Sequence, residues 1–109
     1  MRRVIAADTR GGISTLAKIL GGYVQLIPAV SLEQALKKIE DGADLVVCGI
    51  HFDQSRMFGF LGMAKARPAS RAVPFVCYRD MPSDLSATLI QELGCRVQGL
   101  GRGRVPRSA

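Results

Sequence analysis

The sequence predicts an α/β fold in which helices cover both faces of a parallel sheet. Short apolar runs with strand character alternate with longer stretches whose apolar residues recur at helical spacing, which gives the order βαβαβαβαβ. Some of these runs, such as residues 45–48, are apolar without interruption, which is typical of strands buried on both faces of a parallel sheet. A chain of 109 residues is long enough for one domain with a core of its own.

The first strand and helix follow directly from this pattern. Residues 4–7 form a short apolar run that enters a turn at Asp8, so they predict a buried strand. Apolar residues recur at helical spacing within residues 13–20, and we expect that helix to end at Gly21 and Gly22.

The second strand and helix carry two local signals. Residues 23–30 predict a strand, and Pro28 favours an edge position because proline donates no hydrogen bond to a neighbouring strand. Ser31 opens the capping-box pattern Ser-Leu-Glu-Gln, which predicts a helix through residues 32–39 that ends at Gly42.

The remaining elements complete the alternation. Residues 57–66 predict a helix with Phe58, Leu61 and Ala64 or Lys65 at helical spacing, and Pro68 ends it. Three further segments then predict, in order, a strand, a helix and a weak last strand: residues 73–78, 83–93 and 95–100.

The charge and the termini restrict the function classes. The net charge is +6, and the basic residues are scattered except for a group near the C-terminus: Arg96, Arg102, Arg104 and Arg107. We therefore expect residues 1–101 to form the domain and residues 102–109 a flexible basic tail. The apolar stretch at the N-terminus is too short for a signal peptide or a membrane span, so no membrane association is expected.

The cysteines predict neither a zinc site nor a disulfide framework. The chain has three cysteines, without a CxxC motif, and one histidine. Cys48 and Cys77 lie in apolar runs and are expected to be small buried residues, whereas Cys95 lies near the C-terminus. Free thiols favour a reducing cytoplasm as the location.

Four segments together resemble the receiver domain of two-component response regulators, which is also called the CheY-like domain. These segments match the first strand with its acidic turn, the third strand, the fourth strand with its proline, and the turn before the fifth strand: residues 4–8, 43–49, 73–78 and 94–95. The resemblance covers residues 3–101. It implies a flavodoxin-like five-stranded sheet of order 2-1-3-4-5, with its site at the carboxyl ends of the strands.

The phosphorylation site implied by the resemblance is degenerate. Of its two acidic positions after the first strand, one is Ala7 and only the other, Asp8, carries a carboxylate. The position of the phospho-accepting aspartate is Gly49, the position of the phosphate-contacting Ser or Thr is Arg79, and the conserved lysine falls near Gly101. A single carboxylate should bind Mg²⁺ weakly at best, so no metal or other cofactor is expected.

Arg79 suggests two alternatives for the altered site. Its guanidinium could form an ion pair with Asp8 in the space of the metal. Alternatively, Arg79 and backbone N–H groups near Gly11 and Gly49 could bind a small anion at the N-terminus of the first helix.

The loop after Gly49 contains a histidine and an acid, but it fits no catalytic motif. His51, Asp53 and Arg56 share this loop, and we expect a polar loop rather than catalysis. Asp53 lies several residues past the acceptor position, so it is a poor replacement for the missing aspartate. We therefore predict that the chain is not an enzyme.

The resemblance also implies a fifth helix that this sequence lacks, since no apolar helical pattern follows Leu100. The uncovered sheet face is then expected to be covered by a signalling partner or a homodimer, or by a longer chain of which this sequence is a part. Receivers commonly associate through the region that corresponds to residues 83–100, so the interface candidates are Leu85, Leu89, Val97 and Leu100.

The function expected from these features is that of a phosphorylation-incompetent receiver-like module, or pseudo-receiver, in signal transduction. It would act through protein–protein interaction by presenting residues 57–63 or residues 83–100 to another signalling protein. Two alternatives remain open. One is a basic protein that associates with nucleic acid through its Arg-rich tail, although nucleic acid is not the expected partner. The other is a regulatory domain that binds a small anion. A ligand-binding flavodoxin-like domain has no cofactor fingerprint to support it.

Overall fold

The structure, a computed structural model, describes residues 2–79, which form a four-stranded parallel sheet with helices on both faces. The elements in chain order are β1 (Arg3–Ala7), α1 (Arg10–Leu20), β2 (Gln25–Ala29), α2 (Leu32–Glu40), β3 (Leu45–Gly49), α3 (Met57–Ala66) and β4 (Phe75–Tyr78). The strand order is β2-β1-β3-β4, which confirms the α/β class and the 2-1-3-4 part of the predicted order.

Several predictions concern residues outside the described range. They are the helix at residues 83–93, the strand at 95–100, the basic tail at 102–109 and the four interface candidates: Leu85, Leu89, Val97 and Leu100. Within residues 2–79, no helix is both long enough and apolar enough to cross a membrane.

The sheet separates two buried cores because successive residues of a strand point to opposite faces. Ile5 and Val46 point to the face that α2 and α3 cover, whereas Val4 and Val47 point to the face that α1 covers. All five residues of β3 are buried, which confirms that this apolar run is a central strand.

Thr9 starts α1 three residues earlier than the sequence predicted. Its side-chain oxygen accepts a hydrogen bond from the backbone N–H of Gly12 at 3.2 Å, and this cap satisfies one of the free donors at the helix start. The helix ends before Gly21, as predicted. However, Gly21 has φ −57° in the right-handed region, so this end does not use the left-handed glycine that commonly closes helices.

The predicted capping box at α2 is present in a modified form. Ser31 accepts a hydrogen bond from the N–H of Gln34 at 3.2 Å, and the Gln34 side chain accepts one from the N–H of Val30 at 2.9 Å. The usual partner would be the N–H of Ser31 itself. After α2, Gly42 has φ 99°, a left-handed conformation that favours glycine, which confirms the predicted helix end.

The bounds predicted for α3 are confirmed, but of the residues predicted at helical spacing only Ala64 is fully buried. Phe58 is 68% exposed, and the buried residues are Met57, Phe60 and Ala64. The helix is apolar on nearly every side, so its sequence does not specify one face. Tertiary contacts decide: the Phe60 ring packs between Phe52 and Phe75, with ring centroids 5.6 and 5.2 Å apart.

The prediction for the cysteines is half correct. Cys48 is buried in β3, and its burial raises the pKa of the thiol. Cys77 is exposed, because β4 is the outer strand of the described sheet and its residues are at most half-buried. Burial still raises the pKa of Cys77, and the nearby Lys65 ammonium opposes that rise.

Candidate functional site

Three residues meet at one level of the sheet, at the carboxyl ends of three neighbouring strands. Ala7 of β1 pairs with Cys48 of β3, and Gly49 pairs with Tyr78 of β4. Asp8 follows Ala7 directly, so Asp8, Gly49 and Tyr78 stand side by side across β1, β3 and β4. By strand alternation all three point to the face that α1 covers.

The Asp8 carboxylate is buried, with 5% of the residue exposed, and both of its oxygens have protein partners. The backbone N–H of Thr9 donates to Oδ1 at 2.7 Å, and the Tyr78 hydroxyl donates to Oδ2. The negative charge also lies beside the N-terminus of α1, where the helix dipole favours it. Burial of Tyr78, together with its hydrogen bond to Asp8, raises the pKa of the phenol.

The two glycines that flank Asp8 make room for its carboxylate. A Cβ placed on Gly49 would lie 2.6 Å from both Asp8 oxygens, closer than such atoms approach in folded proteins. A Cβ on Gly12 would meet the same carboxylate. The tyrosine reaches Asp8 across β3 because its neighbour in the sheet, Gly49, has no side chain in the way. The space that a side chain at position 49 would need is therefore occupied by the Asp8 carboxylate.

A cleft of about 270 Å³ opens above these residues, between the start of α1 and the ends of β3 and β4. Its lining comprises Asp8, Thr9, Gly11, Gly12, Thr15, Gly49, Ile50, His51, Tyr78 and Arg79. The cleft brings together the three residues of the predicted anion site, Arg79, Gly11 and Gly49. The buried charge of Asp8 at the cleft opposes an anion, and the anion site stays a prediction.

The predicted ion pair between Asp8 and Arg79 is not formed. Among residues 2–79 the ion pairs join Arg2 to Asp44, Arg56 to Asp53 and Arg67 to Glu40. Arg79 is exposed at the cleft, while the Tyr78 hydroxyl holds the carboxylate. A neutral hydroxyl is less costly to bury than a guanidinium, so Tyr78 can bind the buried carboxylate while Arg79 stays in water.

The oxygen ligands that this cleft offers do not fit a Mg²⁺ ion. Asp8 is its one carboxylate among the described residues, and both Asp8 oxygens already accept hydrogen bonds. Residues 2–79 also contain no group of three or more His, Cys, Asp or Glu side chains that could hold a metal ion. Mg²⁺ needs a near-octahedral set of oxygens and is reluctant to lose water, so one occupied carboxylate is a poor ligand set.

The loop between β3 and α3 directs Asp53 away from the cleft. Its Oδ2 accepts a hydrogen bond from the N–H of Leu32 at 2.7 Å, at the start of α2, and lies 3.8 Å from Arg56. His51, in contrast, lines the cleft. Asp53 therefore caps the start of α2 and does not line the cleft, whereas His51 does.

Sequence reasoning missed Tyr78, which it treated only as the end of a strand. Tyr78 is half-buried on the α1 side of the sheet and supplies the hydroxyl that binds Asp8. The available signal was its position: the last residue of a strand, with a polar group on an apolar body, next to a glycine-ended central strand.

Comparison with solved structures shows that the fold is that of receiver domains. The N-terminal domain of a response regulator receiver protein from Methanoculleus marisnigri matches with a TM-score of 0.63 and 20% identity, over 84% of this chain and 76% of that chain. A candidate response regulator from Chloroflexus aurantiacus matches with a TM-score of 0.63 and 17% identity, over 86% of this chain and 80% of that chain. A response regulator from Desulfuromonas acetoxidans matches with a TM-score of 0.60 and 11% identity, over 87% of this chain and 80% of that chain.

Comparison of the sequence gave no match to a family model and none to a curated protein. The three structural matches are all 20% identical or less, so they establish the fold and leave the chemistry to this chain's own residues.

Proposed function

We propose that this chain is a receiver-like signalling module that acts by binding another protein, without phosphorylation and without catalysis. The receiver fold supports a role in signal transduction, because each of the three matching structures is described as a response regulator. The finer claim, that this module is a pseudo-receiver, depends on the residues at the carboxyl ends of β1, β3 and β4.

The observation that carries the proposal is the packing of Asp8 against Gly49. A glycine at the acceptor position has no group to phosphorylate, and the 2.6 Å approach to a Cβ leaves no room for one. Phosphoryl transfer depends on a positioned nucleophile and on charges that stabilise the transferring group. Here the nucleophile is absent from position 49, and the nearest carboxylate is held by Thr9 and Tyr78.

The test is exposure of the purified chain to acetyl phosphate and Mg²⁺, followed by intact-mass measurement. We expect no added phosphoryl group, whereas a phosphorylatable receiver treated in parallel gains one. Stoichiometric, hydroxylamine-sensitive phosphate on this chain would refute the proposal. The variant Gly49→Asp belongs in the same experiment, since we expect it to stay unlabelled because its new side chain meets the Asp8 carboxylate.

Binding of a small anion is a second candidate function, favoured by the shared cleft of Arg79, His51 and Gly11. Titration calorimetry with inorganic phosphate tests it, with Arg79→Ala as the variant. Heat that saturates at millimolar phosphate and disappears in the variant would support this function. An absence of heat at that concentration would exclude it.

A further inference from the structure

Two cysteines lie side by side on neighbouring strands. Cys48 of β3 and Cys77 of β4 are partners in the parallel register. Cys48 belongs to the core on the face that α2 and α3 cover, and Phe75, two residues before Cys77, packs against the same core. By strand alternation the Cys77 side chain points to that face as well. The two thiols are therefore neighbours on one face of the sheet.

The spacing of this pair is compatible with a disulfide bond. Hydrogen-bonded strands lie about 4.8 Å apart, and the Cα atoms of disulfide-linked cysteines are usually about 4.4–6.8 Å apart. The Cβ atoms of a parallel pair point the same way and start about 4.8 Å apart, whereas a disulfide brings them to about 3.5–4.5 Å. Closure thus needs a small movement of β4 toward β3, and the resulting bond would be strained and easily reduced.

The two thiols differ in access and in acidity. Cys48 is fully buried, and its burial, together with the charge of a Cys77 thiolate, raises the pKa of its thiol. Cys77 is exposed, and the Lys65 ammonium opposes the rise that burial causes in its pKa. A thiolate is the attacking species in thiol–disulfide exchange. Cys77 is therefore the residue that meets an external disulfide first, and Cys48 is the residue that reacts second.

Packing alone accounts for one cysteine of the pair and not for the other. A free cysteine commonly behaves as a small apolar residue inside a core, and Cys48 fits that role. Cys77 does not, because it is exposed and close to the charge of Lys65. Disulfides of proteins in a reducing compartment are usually transient and redox-sensing. A reversible bond is thus the chemistry that suits this pair.

We propose that Cys48 and Cys77 form a redox-sensitive dithiol, which a small disulfide of the glutathione type converts to a reversible disulfide between β3 and β4. The proposal goes beyond the signalling function and does not depend on it, because neither thiol lines the cleft of Asp8. Both partners and the strands that hold them lie within residues 2–79.

Reduction of the small disulfide balances the oxidation of the protein. The Cys77 thiolate attacks one sulfur of oxidised glutathione, so a bond between Cys77 and glutathione forms and the first glutathione leaves as a thiolate. Cys48 then loses its proton to water, and its sulfur attacks the Cys77 sulfur. The second glutathione leaves as a thiolate, and the two leaving thiolates take up the two protons that the cysteines released. Two protein thiols are oxidised, and one glutathione disulfide is reduced.

The test follows the cysteines of the full chain in glutathione buffers of increasing oxidised-to-reduced ratio. Acid quenching, alkylation of the free thiols and peptide mapping by mass spectrometry locate each bond. We expect a Cys48–Cys77 disulfide in the oxidising buffers and its loss in millimolar reduced glutathione. Thiols that stay free at every ratio, a mixed disulfide on Cys77 that never closes, or a bond to Cys95 in its place would each overturn the proposal.

Two variants separate the roles of the thiols. In Cys48→Ala, which keeps a small apolar residue in the core, oxidation should stop at the mixed disulfide on Cys77. Cys95→Ser is the matched control and should form the same bond as wild type. Circular dichroism verifies that each variant is folded. If Cys48→Ala does not fold, peptide mapping of the wild-type chain still decides, because it identifies both ends of the bond.

Oxidation of the unfolded chain is the control for the role of the fold. In urea the strands no longer hold any two cysteines together, so all pairings among the three should form. In the native chain the Cys48–Cys77 bond should exceed each other pairing by at least about tenfold, because the sheet sets a high effective concentration for this pair. The same mixture in both states would overturn the proposal. The acetyl phosphate experiment involves neither thiol, so its result is separate.

Discussion

The Asp8 carboxylate and the Cα of Gly49 are in such close contact that a Cβ at position 49 would lie 2.6 Å from both oxygens of the acid. The Asp8 carboxylate therefore occupies the space that a side chain at position 49 would need. The hydroxyl of Tyr78 fixes it there. Stability at this edge of the sheet therefore depends on the absence of a side chain from Gly49.

Gly49→Ala should destabilise the chain by about 1–3 kcal/mol, because the new methyl group must displace a buried, hydrogen-bonded carboxylate. Urea unfolding followed by circular dichroism measures the change. The matched control is Gly59→Ala, where a Cβ meets nothing within 4 Å. Equal stabilities for wild type and Gly49→Ala would show that Asp8 moves aside freely.

The cost of Gly49→Ala should fall when Asp8 is absent. In the Asp8→Ala background the three atoms nearest to the added methyl group are gone. A double-mutant cycle should then give a coupling of about 0.5–3 kcal/mol between the two sites, as residues in contact commonly do. Purely additive costs would mean that the two residues do not compete for the same space.

The raised pKa of Tyr78 predicts a loss of stability at high pH. The folded state keeps the phenolic proton above the ordinary value of 10.0, while the unfolded chain releases it. Above that pH the unfolded state binds fewer protons, so the contribution of Tyr78 is complete below pH 10 and decreases as the pH rises further. In Tyr23→Phe, which leaves Tyr78 as the single tyrosine, tyrosinate absorbance should appear only together with unfolding. Half-titration of a folded chain at pH 10 would contradict this.

Gly62→Ala should stabilise the chain by roughly 0.5–1 kcal/mol, because alanine is the better helix former and its Cβ has open space. The same substitution at Gly12 is the opposing control, since its Cβ would meet Asp8. Thermal melting compares the two. If Gly62→Ala lowered the stability, a contact of the glycine within the folded chain would have to explain it.

Gln54→Gly should also stabilise the chain, by about 1 kcal/mol. Gln54 has φ 58° and lies in a run of three non-glycine residues with positive φ, from Asp53 to Ser55. A left-handed conformation costs such residues roughly 1–2 kcal/mol, and glycine avoids most of it. Ser14→Gly, at an exposed position within α1, serves as the comparison and should have the opposite sign. A loss of stability in Gln54→Gly would exclude strain in this loop.

Within residues 2–79 the sequence was sufficient for the elements and their order, because the buried strands are short apolar runs and the helix ends carry local signals such as Ser31 and Gly42. It was insufficient for the inner face of α3, since a helix that is apolar on all sides offers several equivalent faces. The resemblance to receiver domains placed Ala7, Asp8 and Gly49 at the carboxyl ends of their strands. The partner of Asp8 was predicted as Arg79 and is Tyr78, because the choice depends on the cost of burying a charge, which spacing does not encode.

The hydrogen bond from Tyr78 to Asp8 has a consequence for how a cell would use this protein. A working receiver is controlled through the supply of phosphate and divalent cations at its acidic site. Under the proposed function, that supply would not act on this chain, because both oxygens of Asp8 already accept hydrogen bonds from the protein's own atoms. Under the proposed function, the strength of the signal would be set by how many copies of the chain are made and degraded.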